Sequence, residues 1–304
     1  MKNERLKGYF LAIIATLALA NVYIFSKAAL NELHIFQFGF YWFGFALLWN
    51  TFFIIFRKKK LEIKQLDKNS KFAISGNVFF EVIGTVLFFT GINVIENPAI
   101  VSFLVNLGPV FTLILGFFLL NERYNFIEYN GILITIIGIF IINYNGNNSF
   151  DELYKNGTWI VILGALFFSI ALIIAKKNIH KIEPIILATS RAIVLFVISL
   201  ILMFVYKLNF LVSINSIINV IIGSLMGPFL SFLASYYSLK YIEASLSNVI
   251  LSTKSLFIII GAYFFFNLMI SQTQLIGGLI SVFGIVIISL GKKIWKTKKK
   301  LLRK

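Results

Sequence analysis

The chain alternates between long apolar runs and short polar connections. A bilayer core about 30 Å thick needs about 20 helical residues, since each residue rises about 1.5 Å. Ten runs of this kind follow one another, so the pattern predicts an all-α integral membrane protein with ten transmembrane helices. The ten spans are expected over residues 8–26, 35–56, 73–92, 98–120, 127–144, 157–175, 184–206, 217–237, 244–266 and 273–291.

The basic residues are distributed very unevenly between the two sets of connections. The N-terminus, every second loop and the C-terminus together carry 23 of the 28 lysines and arginines, whereas the other five loops carry three. Cytoplasmic loops of membrane proteins are enriched in Lys and Arg. This asymmetry predicts a multi-pass protein of the cell membrane with both termini in the cytoplasm.

Composition excludes several other classes of protein. Apolar residues make up 59% of the chain and charged residues 13%, which is far from the range of soluble domains. The chain has no cysteine and two histidines, so we expect no metal site and no cofactor. The net charge of +16 lies mainly in the predicted cytoplasmic loops, which argues against nucleic acid as a partner.

The first span has the features of a secretory signal, because Lys2, Arg5 and Lys7 precede an apolar run that ends in Ala18–Ala20. We nevertheless expect it to stay in the protein, because its removal would leave nine spans and destroy an internal repeat.

The second half of the chain aligns with the first. A shift of 146 residues places Gly131 on Gly277 and Gly138 on Gly284, and shifts of 149 and 147 align the earlier spans. We therefore predict a first repeat over residues 1–146 and a second over residues 147–304. Five spans is an odd number, so the second repeat enters the membrane from the opposite side, as in the inverted repeats of secondary transporters.

Residues 97–99 (Asn-Pro-Ala), 107–111 (Leu-Gly-Pro-Val-Phe) and 121–123 (Asn-Glu-Arg) precede Gly131 and Gly138. This stretch resembles the fourth and fifth helices of the EamA-type drug/metabolite transporter superfamily. The resemblance implies a transport site between spans 1–4 and 6–9, with spans 5 and 10 at the periphery. The second repeat departs from the pattern in having Ser255 at the position of Pro109.

Three charged residues lie well inside the apolar spans, away from the span ends. Glu81 is central in span 3, Lys254 is central in span 9, and Arg191 lies about 10 Å into span 7. Such residues are costly in lipid and usually face a protein interior or a wet cavity. Together they leave one excess positive charge, which favours a substrate with an anionic group.

Polar stripes occupy related faces of the two repeats. Ser102 and Asn106 share a face of span 4, and the 146-residue shift carries them to Asn248 and Ser252 of span 9. Asn77 and Glu81 likewise share a face of span 3. We expect these residues to bind substrate near the membrane midplane, although helix packing also uses small polar residues.

The helical angle of Lys254 leaves its role open, because the residue points about 140° away from the mean of the span 9 stripe. It can face the substrate, pair with Glu81, or lie buried in its neutral form. Aromatic residues with a polar tip are further candidates for the cavity wall. They are Tyr41, Trp42, Trp49, Tyr236 and Tyr237, of which Trp42 and Tyr237 complete the predicted substrate site.

No motif of an enzyme or of an ATP-binding domain occurs in the chain. We therefore predict a secondary transporter, an exporter of small organic metabolites such as amino acids or related carboxylates, that works by alternating access. Glu81 is the predicted proton carrier if transport is coupled to protons, because a carboxyl group in apolar surroundings can exchange a proton in the working pH range. A membrane scaffold or lipid-handling protein is the alternative, a channel is a third possibility, and homodimer formation is left open.

Overall fold

The computed structural model describes residues 2–56, 66–120, 126–143, 157–273, 275–284 and 286–287. Within these ranges the chain is built from α-helices and one π-helical segment. The first six helices are α1 (Lys2–Leu30), α2 (Ile35–Phe56), α3 (Lys68–Val94), α4 (Pro98–Val105), α5 (Gly108–Leu120) and α6 (Phe126–Asn143). They are followed by α7 (Thr158–Asn178), α8 (Pro184–Val205), α9 (Ile214–Ser224), the π segment (Leu225–Ser231), α10 (Phe232–Ser238), α11 (Ala244–Ser252), α12 (Lys254–Phe266) and α13 (Leu275–Gly284).

Seven helical segments in the described ranges are long and apolar enough to cross a membrane. Three shorter apolar helices lie where the fifth, ninth and tenth spans are predicted, over Tyr129–Gly138, Ile250–Phe266 and Leu275–Gly284. The all-helical membrane class is therefore confirmed, while ten complete crossings stay a prediction.

Local capping residues mark where helices begin. Asp67 accepts a hydrogen bond from the backbone N of Ser70 at 2.9 Å and caps α3. Ser213 accepts one from the backbone N of Ser216 at 3.1 Å and caps α9. These two caps are 146 residues apart and satisfy equivalent free backbone donors in the two halves of the chain.

Helices of the first half pack against helices of the second half in antiparallel pairs. Helix α3 packs along α7, α2 along α8, and α1 along the continuous segment from α9 to α10. The contacts repeat with the shift seen in the sequence: Phe25 touches Gly223, and their equivalents Ile174 and Gly76 touch each other. The core of the bundle thus lies between the two halves.

Helices α6 and α13 cross so closely that a side chain would not fit. A Cβ atom at Gly138 would overlap the backbone of Ser281 and of Gly277, and one at Gly284 would overlap the backbone of Thr135 and of Gly131. The later residue of one helix meets the earlier residue of the other, so these two equivalent helices are antiparallel. That arrangement is expected of an inverted repeat. The predicted boundary near residue 146 lies outside the described residues.

In each repeat, a lysine at an equivalent position binds the backbone carbonyls at the C-terminal end of a helix. Lys27 Nζ donates hydrogen bonds to the carbonyls of Ile92 and Ile95, both at 3.1 Å, at the end of α3. Lys176 Nζ donates to the carbonyls of Leu239 and Ile242, both at 2.8 Å, just after α10. A cation at a helix C-terminus satisfies the last carbonyls and complements the helix dipole.

Three spans are interrupted near their centres. The fourth span breaks at Asn106 and Leu107, between α4 and α5, and the ninth breaks at Thr253, between α11 and α12. The eighth contains the π segment with Pro228 inside it. Pro109 has no N–H to donate to the carbonyl of Val105, the last residue of α4, which is consistent with the break in the fourth span at this position. Irregular backbone at membrane depth is tolerated where it lines a cavity or lies within protein.

Candidate functional site

A cavity of about 130 Å³ lies at the centre of the bundle, where the interrupted spans meet. Its wall comes from both halves of the chain, from α1, α2, α3 and the breaks of spans 4, 8 and 9, together with α7 and α8. No residue of α6 or α13 in the described ranges contributes to the wall. Many wall residues are equivalent under the repeat, for example Trp42 and Arg191, or Gly108 and Lys254, so the cavity lies between the two repeats.

Glu81 and Arg191 form an ion pair in the wall of the cavity. Arg191 Nε lies 3.5 Å from Glu81 Oε2, and both side chains are at most 5% exposed. The guanidinium also donates from Nε to Thr85 Oγ1 at 3.3 Å and lies 3.6 Å from the centre of the Phe232 ring. The ring face and the carboxylate both stabilise the buried cation.

Tyr236 links this pair to the neighbouring helices. Its hydroxyl donates to Glu81 Oε1 at 2.9 Å and lies 3.5 Å from Asn77 Oδ1. Asn77 in turn donates from Nδ2 to the backbone carbonyl of Ala171 at 2.9 Å. The resulting network connects α3, α7, α8 and α10, and it therefore joins the two halves of the chain.

Lys254 lies in the cavity wall at the first position of α12 and is 3% exposed. Its Nζ is 5.9 Å from the centre of the Tyr23 ring, and in the part of the chain that the structure describes it has no carboxylate partner. The angle of 140° assumed one continuous helix, but the break at Thr253 changes the direction in which the following residue points. Glu81 pairs with Arg191 and not with Lys254.

Aromatic side chains form much of the remaining wall. Trp42 is fully buried, and its Nε1 has no hydrogen-bond partner among the described residues. Its ring lies 5.7 Å from that of Phe89, which lies 5.0 Å from that of Phe88. Asn248 also faces the cavity and donates from Nδ2 to Thr112 Oγ1 at 2.8 Å.

The structure places five predicted site residues outside the cavity wall: Asn77, which contacts the wall residue Tyr236, and four others. Ser102 Oγ and Asn106 Nδ2 each donate to Ser255 Oγ at 3.1 Å, in a seam between α4 and the start of α12. Ser252 Oγ donates to the carbonyl of Asn248 in its own helix. The half-buried Tyr237 ring lies 5.2 Å from Lys240 Nζ.

Thr85 and Tyr23 are wall residues that the sequence patterns did not identify. Thr85 is one helical turn beyond Glu81, so its position on the same face was available as a signal. Tyr23 differs from its equivalent, Leu172, and only the fold brings it to the cavity. Within the described ranges no three His, Asp or Glu side chains lie together in a way that could hold a metal ion.

A sequence model of the EamA-like transporter family matches residues 6–144 and again residues 155–290. The two matches fall on the two predicted repeats. A protein of Methanothermobacter thermautotrophicus, described as an uncharacterized transporter, is 24% identical over 302 residues, which cover 94% of this chain and 87% of that protein. An uncharacterized transporter of Archaeoglobus fulgidus is 29% identical over 205 residues, which cover 66% of this chain and 70% of that protein.

A solved crystal structure has the same fold, with a TM-score of 0.73 at 13% sequence identity. The alignment covers 97% of this chain and 99% of the other. At this level of identity the similarity shows the architecture of the helices.

Proposed function

The chain belongs to the EamA-like transporter family and is a multi-pass membrane transporter, and we propose that it exports small organic metabolites as a secondary transporter. The relatives and the family indicate a transporter rather than an enzyme. The observation that carries the proposal is Lys254, a buried lysine that faces the central cavity without a carboxylate partner among the described residues.

The charges of the cavity favour an anionic group on the substrate. Glu81 offsets Arg191 by ion pairing, which leaves Lys254 as the excess positive charge of the wall. A buried charge is stabilised by an opposite charge, and a substrate carboxylate would supply it. Asn248 adds a polar side chain to the same wall.

The size and the aromatic wall favour a small solute with an apolar part. An engineered cavity of about 150 Å³ holds benzene, so about 130 Å³ suits a solute of comparable size. Trp42, Phe88 and Phe89 can contact the apolar part of such a solute. Amino acids and related small carboxylates combine these features and are our preferred substrate class.

Alternating access follows from an inverted repeat, since each half can close one side of a central site. In our proposal residues 1–146 and 147–304 are the two repeats, spans 5 and 10 are peripheral, and both termini face the cytoplasm. Glu81 is the proposed proton carrier. Protonation of its carboxylate would remove its attraction for Arg191, so binding of a proton would change the conformation of the cavity wall.

The test compares extracellular and intracellular metabolites in cells that express the protein or its variants at equal membrane abundance. We expect one class of carboxylate-bearing solutes to leave the cells with the intact protein and to be retained with Lys254→Ala. Lys240→Ala is the matched control, because Lys240 lies beside Tyr237 and outside the cavity wall.

Three results would contradict parts of this proposal. Unchanged metabolite levels under several nutrient loads would favour a scaffold, in which the seam of Ser102, Asn106 and Ser255 serves packing alone. Flux that does not saturate at modest concentrations would favour a channel. Lys254→Ala with normal export would remove Lys254 from the substrate site.

A further inference from the structure

Two equivalent sets of buried apolar side chains lie near the two ends of the helix bundle, and each reaches the cavity wall through one aromatic residue, Phe89 or Tyr236. One lies at the face of the bundle where α3 and α8 begin, which we call the basic face because the adjoining connections carry most of the Lys and Arg residues. The other lies at the opposite face, where α2 begins and α3 ends. The basic-face cluster contains Ile179, Ile182, Leu187, Tyr236 and Leu239. The opposite-face cluster contains Leu30, Leu33, Phe38, Phe89 and Ile92. Each of these ten side chains is buried, so both ends of the helix bundle are packed in this structure.

Only one equivalent pair of the two clusters differs by a polar group, namely Phe89 and Tyr236. Phe89 packs against other aromatic rings, with Phe38 at 4.9 Å and Trp42 at 5.7 Å between ring centres. Tyr236 instead donates its hydroxyl to Glu81, which is paired with Arg191. Packing at the Phe89 end of the bundle is therefore aromatic, whereas at the Tyr236 end it is combined with a buried polar network.

The polar network joins parts of both repeats. Glu81 belongs to α3 of the first repeat, whereas Arg191 and Tyr236 belong to α8 and α10 of the second. The opposite face has polar ties between the repeats at its exposed rim, where Glu32 accepts from Ser216 at 2.6 Å. The polar network at the basic face is instead buried in the cavity wall, so a change in the cavity affects it directly.

The geometry points to a gate: we infer that Tyr236, Glu81 and Arg191 hold the basic-face end of the cavity closed. This end opens when Glu81 loses both its hydrogen bond from Tyr236 and its ion pair with Arg191. The contacts of Glu81 are incomplete in a way that suits such a role. Oε2 accepts no hydrogen bond from any described residue, and its nearest cation, Arg191 Nε, is 3.5 Å away. A buried and partly satisfied polar network can favour two arrangements of similar free energy.

A single reporter cysteine can measure opening of the gate, because the chain contains no cysteine of its own. Ser231 faces the cavity and is 2% exposed, and its hydroxyl donates within its own segment to the carbonyl of Gly227. In Ser231→Cys, a membrane-impermeant thiol reagent reacts only when one end of the cavity opens. The labelling rate is measured in sealed vesicles of each orientation, so that reaction through one end of the cavity is distinguished from reaction through the other. A separate Lys181→Cys protein shows in which vesicles the basic face is accessible to the reagent.

We expect Tyr236→Phe in this background to raise the labelling rate from the basic face about tenfold, because loss of one hydrogen bond to a charged group shifts an open–closed equilibrium by at least that factor. Tyr237→Phe on the same helix is the matched control and should leave the rate unchanged. Glu81→Gln should act in the same direction as Tyr236→Phe. Phe89→Ala should raise labelling from the opposite face alone.

Equal labelling rates in the Tyr236→Phe and Tyr237→Phe proteins would overturn the gate, as would faster labelling of Tyr236→Phe from the opposite face alone. If Tyr236→Phe does not elute as a folded protein in detergent, Glu81→Gln, which preserves the shape of the side chain, decides in its place. The assay needs no substrate. Failure of the gate and failure of the proposed export are therefore seen separately.

Discussion

Arg191 Nε lies 3.5 Å from Glu81 Oε2, and this contact crosses from the second half of the chain to the first. Breaking a buried ion pair by removing one partner leaves an uncompensated charge, which is unfavourable. Any event that protonates or displaces Glu81 therefore changes the interaction between the two halves. In the proposed mechanism, this contact would connect the chemistry of the cavity to the movement of the two halves.

Glu81→Gln should abolish the dependence of transport on pH while the protein stays folded. The amide keeps the shape of the side chain but can neither gain nor lose a proton in the relevant range. The measurement is substrate flux into vesicles across a series of pH values. Glu96→Gln is the control, because Glu96 is exposed at the turn between α3 and α4. An unchanged pH profile in Glu81→Gln would remove this residue from coupling.

The helical class and the internal repeat were predictable from the sequence, because span length and a repeat with offsets of 146 to 149 residues are strong signals. The position of the ionisable residues inside apolar spans likewise indicated Glu81, Arg191 and Lys254, all of which line the cavity. These predictions depend on the sequence pattern alone. They need no knowledge of how individual helices bend.

The direction of particular side chains was harder to predict, because the spans are not continuous helices. The break at Thr253 brings Lys254 to the cavity and directs Ser255 toward Ser102. A choice between Tyr236 and Tyr237 also depends on helix rotation, and only Tyr236 lines the cavity. An ideal rotation of 100° per residue cannot represent either case.

Replacing Lys27 or Lys176 by methionine should destabilise the protein by about 1.5–3 kcal/mol, the usual range for hydrogen bonds to a charged group. Each lysine satisfies carbonyls that would otherwise lack a partner at the end of a helix. The measurement is the unfolding midpoint in detergent. Lys177→Met is the control, since Lys177 is exposed beside Lys176. Equal midpoints for Lys176→Met and Lys177→Met would contradict this role.

Gly138→Ala should destabilise the crossing of α6 and α13 by about 1–3 kcal/mol, the usual cost of overpacking. The new Cβ would overlap backbone atoms of Ser281, which cannot rotate away. Gly76→Ala is the control, because its nearest neighbour, a side-chain atom of Ile174, would lie 3.7 Å from the new Cβ. Thermal unfolding in detergent should separate the two variants, and a tolerated Gly138→Ala would show that the helices do not pack this closely.

The hydrogen bonds that the exposed Glu32 carboxylate accepts should stabilise the folded protein near neutral pH and lose this effect in acid. Hydrogen bonds from Ser213 and Ser216 stabilise the carboxylate and lower the pKa of Glu32. Because the folded-state pKa is the lower one, the contribution is complete above the pKa of a free glutamate and is lost as the pH falls through the folded value.

The corresponding measurement is the difference in thermal midpoint between the protein and Ser216→Ala. We expect a difference at pH 7 that shrinks below about pH 4. Ser75→Ala is the control, because Ser75 donates within its own helix and lies far from Glu32 in the sequence. A difference that does not depend on pH would show that Ser216 acts through packing.

Labelling of cysteines introduced at Lys181 and Lys207 tests the orientation of the protein in the membrane. Both are exposed, and the single span α8 separates them, so they belong to opposite faces. Because the excess of Lys and Arg places the face of Lys181 in the cytoplasm, Lys207→Cys should react with an impermeant thiol reagent on intact cells. Lys181→Cys should react only after the membrane is permeabilised. The protein without introduced cysteine gives the background, and the reverse pattern would invert the proposed topology without altering the contacts between the two halves.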